Sequence, residues 1–251
     1  MPFVMESKYL SFEIDLIQSQ WSLFPKQGKD FFIDHAKMNL SFRFLGSQKQ
    51  EIDHWITPQL SEAHIVPSKQ GYLQVLKMES GQDAHGISIS IEFALSDQYP
   101  IFLWRLTIHN HATQPIYPQK LTLLSTSFAG DQLSNPAFFS NGWGSWNHTG
   151  AFGERDHFKR SRLGPFYNPM RVNAGTPQPR GRGHFASDFF GIIGDREKRV
   201  ALLAGFLSQK QHFGSLEVLL DQPEPTLTLW ANGDRARLDP GESIRTDWAC
   251  L

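Results

Sequence analysis

Ile87-Ser88-Ile89-Ser90-Ile91-Glu92-Phe93-Ala94-Leu95 decides the fold class. Large apolar side chains fill every odd position, with Ser88, Ser90, Glu92 and Ala94 between them. Successive side chains of an extended strand point to opposite faces, so this alternation describes a strand buried on one side. After Asp97-Gln98-Tyr99-Pro100, residues 101–109 repeat the pattern: Phe102, Trp104, Leu106 and Ile108 share one face, and Arg105, Thr107 and His109 the other. Asn110-His111-Ala112-Thr113-Gln114-Pro115 carries turn chemistry, and 116–125 reads as a third strand. Connections this short cannot make parallel crossovers, so the three runs are expected to form an antiparallel meander.

Weaker versions extend in both directions. Residues 9–16, 31–33, 39–45 and 72–78 read as strands upstream; 188–193, 200–207, 215–220, 226–231, 236–238 and 243–249 do so downstream. Asp195-Arg196-Glu197-Lys198, Asn232-Gly233 and Pro240-Gly241 supply turns. No amphipathic helix of useful length emerges, although 18–21 and 58–63 could each make one helical turn. Many short strands punctuated by turns imply sheets packed face to face. The expectation is an all-β protein: one large antiparallel β-sandwich domain over residues 1–251.

Composition bounds the function. With 40% hydrophobic residues and 20 Phe, the chain has ample material for a packed core. A net charge of -1 argues against a globally basic nucleic-acid binder. The single cysteine, Cys250, cannot form an intramolecular disulfide, which fits a reducing compartment. The start Met1-Pro2-Phe3-Val4-Met5-Glu6 has no secretory pattern, and no stretch reaches the roughly 18 apolar residues of a membrane span. A cytoplasmic protein without membrane or nucleic-acid partners is expected. The sequons Asn39-Leu40-Ser41 and Asn147-His148-Thr149 then carry no glycan. Residues 243–251 read as strand up to the last position. Domains usually finish in a few solvated residues, so the parent protein is expected to continue.

Between 127 and 186 the alternation stops. That tract is far longer than the roughly 12–15 residues typical of structureless loops. Phe138, Phe139, Trp143, Trp146, Phe152, Phe158, Phe166 and Tyr167 make it too aromatic for disorder. It is read as one long, ordered, functional loop; a lid over the domain's own core is the alternative. Arg155, Lys159, Arg160, Arg162, Arg171, Arg180 and Arg182 make it locally basic, which leaves open an interaction domain that uses this loop for an anionic partner.

Its centre is Asn141-Gly142-Trp143-Gly144-Ser145-Trp146. An indole among small polar residues suits a sugar: the C–H face of a pyranose stacks on the ring while short polar groups reach its hydroxyls. The two glycines argue against a helix there. Strand alternation puts positions three apart on opposite faces, so one indole is expected inside and the other presented outward. Trp146, Trp143, Asn141 and Ser145 are therefore the candidate substrate-binding residues. No catalytic residue is assigned. Glycoside hydrolysis needs two carboxyl groups about 5–10 Å apart, and Glu154 and Asp156, beside Arg155, read instead as surface ion-pair formers. His109-Asn110-His111 lacks further ligands, so no metal and no cofactor is expected.

The same residues resemble a known family. Asn141-Gly142-Trp143-Gly144-Ser145-Trp146 is similar to the Asn-x-Trp-Gln-Ser-Trp motif in the N-terminal domain of α-galactosidases of glycoside hydrolase family 36. Ser187-Asp188-Phe189-Phe190 resembles that family's Ser-Asp-aromatic strand start, and Gly205-Phe206-Leu207-Ser208 its Gly-Phe-Leu-Ser strand. Gly144 departs from the family's usual Gln. The resemblance is best over 138–251 and implies a β-supersandwich that precedes a catalytic (β/α)8 barrel. In such enzymes the barrel supplies both catalytic aspartates of a retaining mechanism, and this chain, lacking them, would be inactive alone. Trp146 would line the terminal-galactose pocket, with Asn141, Trp143 and Ser145 bracing the turn. The implied partners are an α-galactoside or galactose-containing oligosaccharide and a barrel in cis or in trans, with homo-oligomerisation left open. A free-standing carbohydrate-binding module is the other reading.

Overall fold

The computed structural model describes residues 2–27, 32–53, 58–68, 71–129, 131–142, 149–158, 181–234 and 236–251. Two antiparallel sheets pack face to face, and no helix occurs among the described residues. The fold is the expected all-β supersandwich.

The first sheet runs β1 (Phe3–Glu6), β2 (Leu10–Asp15), β3 (Gln20–Pro25), β4 (Ile33–Phe44), β10 (Ile116–Ser127), β17 (Thr226–Asn232), β16 (Gly214–Leu219), β13 (His184–Asp188). The short β5 (Lys49–Ile52) pairs with the second half of β4. The facing sheet runs β12 (Gly150–Gly153), β11 (Pro136–Ser140), β14 (Phe190–Asp195), β15 (Val200–Phe206), β19 (Ala249–Cys250), β9 (Phe102–Asn110), β8 (Ile87–Ser96), β7 (Gly71–Glu79), β6 (Gln59–Ser68). In that sheet β18 (Ser243–Arg245) also pairs with β9.

The alternation in β9 does what it predicts, whereas β8 is buried on both faces, with Ser88, Ser90 and Ala94 covered and only Glu92 partly open. Phe102, Trp104, Leu106 and Ile108 are buried, while Arg105, Thr107 and His109 are partly open. Their rings meet those of the first sheet: Phe12 lies 4.7 Å from Phe93 and 4.8 Å from Phe102, and Trp21 lies 5.4 Å from Trp104. Removing such side chains from water supplies roughly 1.5–3 kcal/mol each. Trp104 also places its polar edge. The ladder between β10 and β17 skips a residue at Leu123, and Trp104 Nε1 donates to the Leu123 carbonyl at 2.9 Å.

Several sequence expectations are corrected. The third run does not complete a meander: β10 crosses to the other sheet and pairs with β4 and β17. Alternation tells which face of a strand is buried and is silent on which sheet it joins. Residues 58–63 make no helical turn: from Gln59 onward they form strand, within β6 against β7. Residues 18–21 are the end of a hairpin turn and the start of β3, closed by Asp15, whose carboxylate accepts from the Ile17 and Gln18 amides. The runs 31–33 and 39–45 belong to one long strand, β4, as far as the described residues show. Residues 236–238 reduce to a single bridge between Leu238 and Ile116. The terminal run is broken between β18 and β19, where Thr246 pairs with Leu106 through its hydroxyl and its amide. The tract 127–186 is not one loop: it contains β11 and β12, and β13 begins at His184.

Candidate functional site

The candidate tract leaves the second sheet at the end of β11. Inside this strand Phe138 points to the core and packs over Gly191 of β14, where a Cβ atom would lie 2.5 Å from the Phe138 ring. The next residues are clasped to β13 of the facing sheet. Ser140 is fully buried and its hydroxyl donates to the Ala186 carbonyl at 2.7 Å. The Asn141 amide donates to Ser187 Oγ at 2.7 Å, and the Asp188 amide donates to the Asn141 carbonyl at 2.9 Å. Ser187 Oγ also lies 3.0 Å from the Asn141 carbonyl and 2.5 Å from that of Phe190, either of which can accept a hydrogen bond from its hydroxyl. Asn141 Nδ2 reaches the Asp188 carbonyl at a long 3.4 Å.

One residue later the Gly142 amide donates to Thr149 Oγ1 at 3.2 Å. Trp143, Ser145 and Trp146 lie between these two positions and outside the described residues, so of the four candidate binding residues only Asn141 is described. It sits at the neck from which that segment leaves. The crossing from β13 to β14 runs through Phe189, held at φ +71° with its amide bonded to the Gly214 carbonyl and its carbonyl to the Phe206 amide. A bulky residue in left-handed backbone is costly and persists where surrounding bonds fix it.

A second set of side chains lies on the outer face of the first sheet. Along β17, Leu227, Leu229 and Ala231 enter the core, so Thr226, Thr228 and Trp230 take the opposite face. Trp230 is nonetheless buried, with Lys120 Nζ 3.9 Å from its ring centroid. Burial pushes the Lys120 ammonium below its usual value, against the pull of Glu217. Glu217 on β16 accepts from His184 Nε2 at 2.7 Å, and that bond holds its carboxyl below the usual range despite burial. Glu217 is thus a committed acceptor, not a proton donor, near neutral pH. In the next row Asp188 and Ser215 are register partners and both fully buried. Apart from Asp188, quoted only within the fragment Ser187–Phe190, these residues escaped the sequence reading. The signal was a Trp at the polar phase of Thr226-Leu227-Thr228-Leu229-Trp230.

The two acids of the candidate tract, Glu154 and Asp156, make only local contacts among the described residues. Glu154 pairs with Arg155 at 3.4 Å on the surface. Asp156 closes a turn by accepting from the Gly153 amide at 2.7 Å. His109 and His111 bond to Ser90 and Ser88 at 3.1 and 3.0 Å. No cluster of three or more metal-binding side chains occurs among the described residues. Burial raises the Cys250 thiol to about 11, far from a reactive thiolate.

No protein-family model matches the sequence, and no curated protein matches it. Solved structures do match. The GH36 alpha-galactosidase AgaA from Geobacillus stearothermophilus, in complex with 1-deoxygalactonojirimycin, superposes over 100% of this chain with a TM-score of 0.60 at 10% identity. The chain folds as a portion of GH36 alpha-galactosidases does. It spans about 40% of that enzyme's length. The alpha-galactosidase from Lactobacillus brevis matches 99% of the chain with a TM-score of 0.59 at 10% identity, over 39% of its own length. A TPR-domain containing protein from Parabacteroides distasonis also matches, with a TM-score of 0.55 at 12% identity over 100% of this chain and 46% of its own. The architecture is thus shared beyond α-galactosidases.

Proposed function

We propose that this chain is a non-catalytic N-terminal domain of an α-galactosidase-like glycoside hydrolase, located in the cytoplasm. It donates the segment that leaves the sandwich at Asn141 to the terminal-galactose pocket of a barrel domain, carried in cis or in trans. Trp146 stacks on the sugar ring, and Asn141, Trp143 and Ser145 brace the turn that presents it. The observation that carries this reading is the whole-chain fold match to enzymes of which it spans about 40%. AgaA structures with raffinose and stachyose make galactose-terminated oligosaccharides the natural substrates to try.

Two measurements test it. The isolated chain should show negligible hydrolysis of a chromogenic α-galactoside; robust turnover would end the non-catalytic reading. In an active assembly with a barrel domain, Trp146→Ala should lower kcat/KM about tenfold or more, because base-like stacking on an indole is worth ~1–3 kcal/mol. Unchanged kinetics would remove the donated-loop role. The rival reading is a free-standing carbohydrate-binding module. That rival predicts tryptophan fluorescence changes on adding galactose to the chain alone.

A further inference from the structure

Strand β4 contains an irregularity with an apparent purpose. Trp21 of β3 pairs with Ala36 and Leu23 with Ile33, so Asp34 and His35 together oppose the single residue Ser22. This is a β-bulge, and it turns two consecutive side chains to the same outer face. Ser22 secures both: its hydroxyl donates to Asp34 Oδ1 at 2.9 Å and accepts from the His35 amide at 3.1 Å. Thr126 of β10 donates to the Asp34 carbonyl at 3.1 Å. His35 is held at φ +48°, inside a strand and away from any hairpin turn. Strain of this kind, fixed by neighbours on two sides, points to use.

The bulge forms one wall of an open groove of about 580 Å³, within the size range of ligand sites. Phe32, Asp34, His35, Lys37, Thr228 and Glu224 line it. Asp34 Oδ2 and His35 Nε2 stand 3.6 Å apart. On the other side Glu224 Oε2 accepts from Ser127 at 3.1 Å. The groove therefore offers two carboxylates, an imidazole, an ammonium and hydroxyls around one aromatic edge. The carboxylates disfavour an anion, and Lys37 disfavours a divalent cation, for which the described residues hold no ligand cluster. Mixed donors and acceptors of nearly balanced charge suit a neutral ligand that itself alternates donors and acceptors.

The geometry points to a carbohydrate-binding groove at the β4 bulge, with Asp34 and Glu224 accepting from sugar hydroxyls and Lys37 and His35 donating to sugar oxygens. It goes beyond the galactose-pocket reading and stands whether or not Trp146 meets a sugar.

Amide NMR of the full chain titrated with raffinose tests it, with calcium chloride and inorganic phosphate in parallel. Saturable shifts are expected at Lys37, Thr226 and Thr228 with raffinose only. Glu224→Ala and Asp34→Asn should each weaken that binding about tenfold, the cost of one hydrogen bond to a charged group. Glu224 is exposed, so its variant keeps the fold. No saturation at these amides up to about 50 mM raffinose, well above the millimolar range, would overturn the proposal. So would saturation by calcium or phosphate in its place, or raffinose affinity unchanged in both variants. Shifts confined to Asn141, Gly142 and Thr149 would support the loop reading and overturn this one.

Discussion

The β8–β9 hairpin and the tract from β11 to β14 are built by different means: the hairpin stays within one sheet, while the tract crosses to the facing sheet at β13. In the hairpin, Leu95 faces Phe102 across a short turn and Phe93 faces Trp104, so neighbours in sequence are neighbours in space. Buried Phe93, Leu95, Phe102 and Trp104 line its inner face, and the Glu92–Arg105 ion pair and the Ser90–His109 bond join its outer face. In the tract, Ser140 pairs with Gly191, some fifty residues on, and the pairing is fixed by polar clasps. Ser187 holds Asn141, and the Asp195 carboxylate accepts from the Asn135, Glu197 and Lys198 amides and the Ser134 hydroxyl. Apolar pattern builds local structure here; buried acceptors close the long-range joints.

Three substitutions would sharpen or break that contrast. Trp104→Ala should be the most damaging, costing about 3–5 kcal/mol, because it empties the ring cluster and strands the Leu123 carbonyl. A urea-unfolding midpoint close to wild type would show that the hairpin does not anchor the core.

Asp195→Ala should cost about 2 kcal/mol with a distinctive pH signature. Burial alone would raise this carboxyl, but the backbone amides of Asn135, Lys198 and Glu197 and the Ser134 hydroxyl outweigh it and hold it down to about 2. The folded value lies below the unfolded one. Its contribution is therefore fully present above the ordinary 3.8 and is lost as pH falls through about 2. Wild type and variant should differ near neutrality and converge in acid; a gap that persists unchanged would refute the ionised clasp. Ser187→Ala should be mildest, about 1 kcal/mol overall, yet it should speed hydrogen exchange at the Asn141 amide. Unaltered exchange there would mean that the neck is held by something else.

The same contrast explains what could be read from the sequence. Ile87 to Leu95 announces a strand because its large apolar side chains keep period two, although the small residues between them are buried as well. The destination of β10 was hidden, since Ile116, Leu121 and Leu124 would suit either sheet. β11 was hidden too: Pro136-Ala137-Phe138-Phe139-Ser140 has rings on both phases, one buried and one half-buried. Around the candidate site, Asn141 was visible through its motif. Its partner Ser187 was noticed as a matching fragment, but nothing local in Ser187-Asp188 says that it grips a residue 46 positions earlier. The Asp34–His35 bulge left no signal, because an extra residue in a strand is defined by its partner.

The placement of β10 carries a kinetic consequence. Its two neighbours are β4, made long before it, and β17, made about a hundred residues after it. At translation rates of ~5–20 residues per second, the nascent chain carries an open edge on β10 for roughly 5–20 s. During that wait a central strand is a template for any extended segment nearby. Pairing of that second edge of β10 thus waits for the arrival of Thr226–Asn232, and shielding it in the meantime would favour the yield of folded chain.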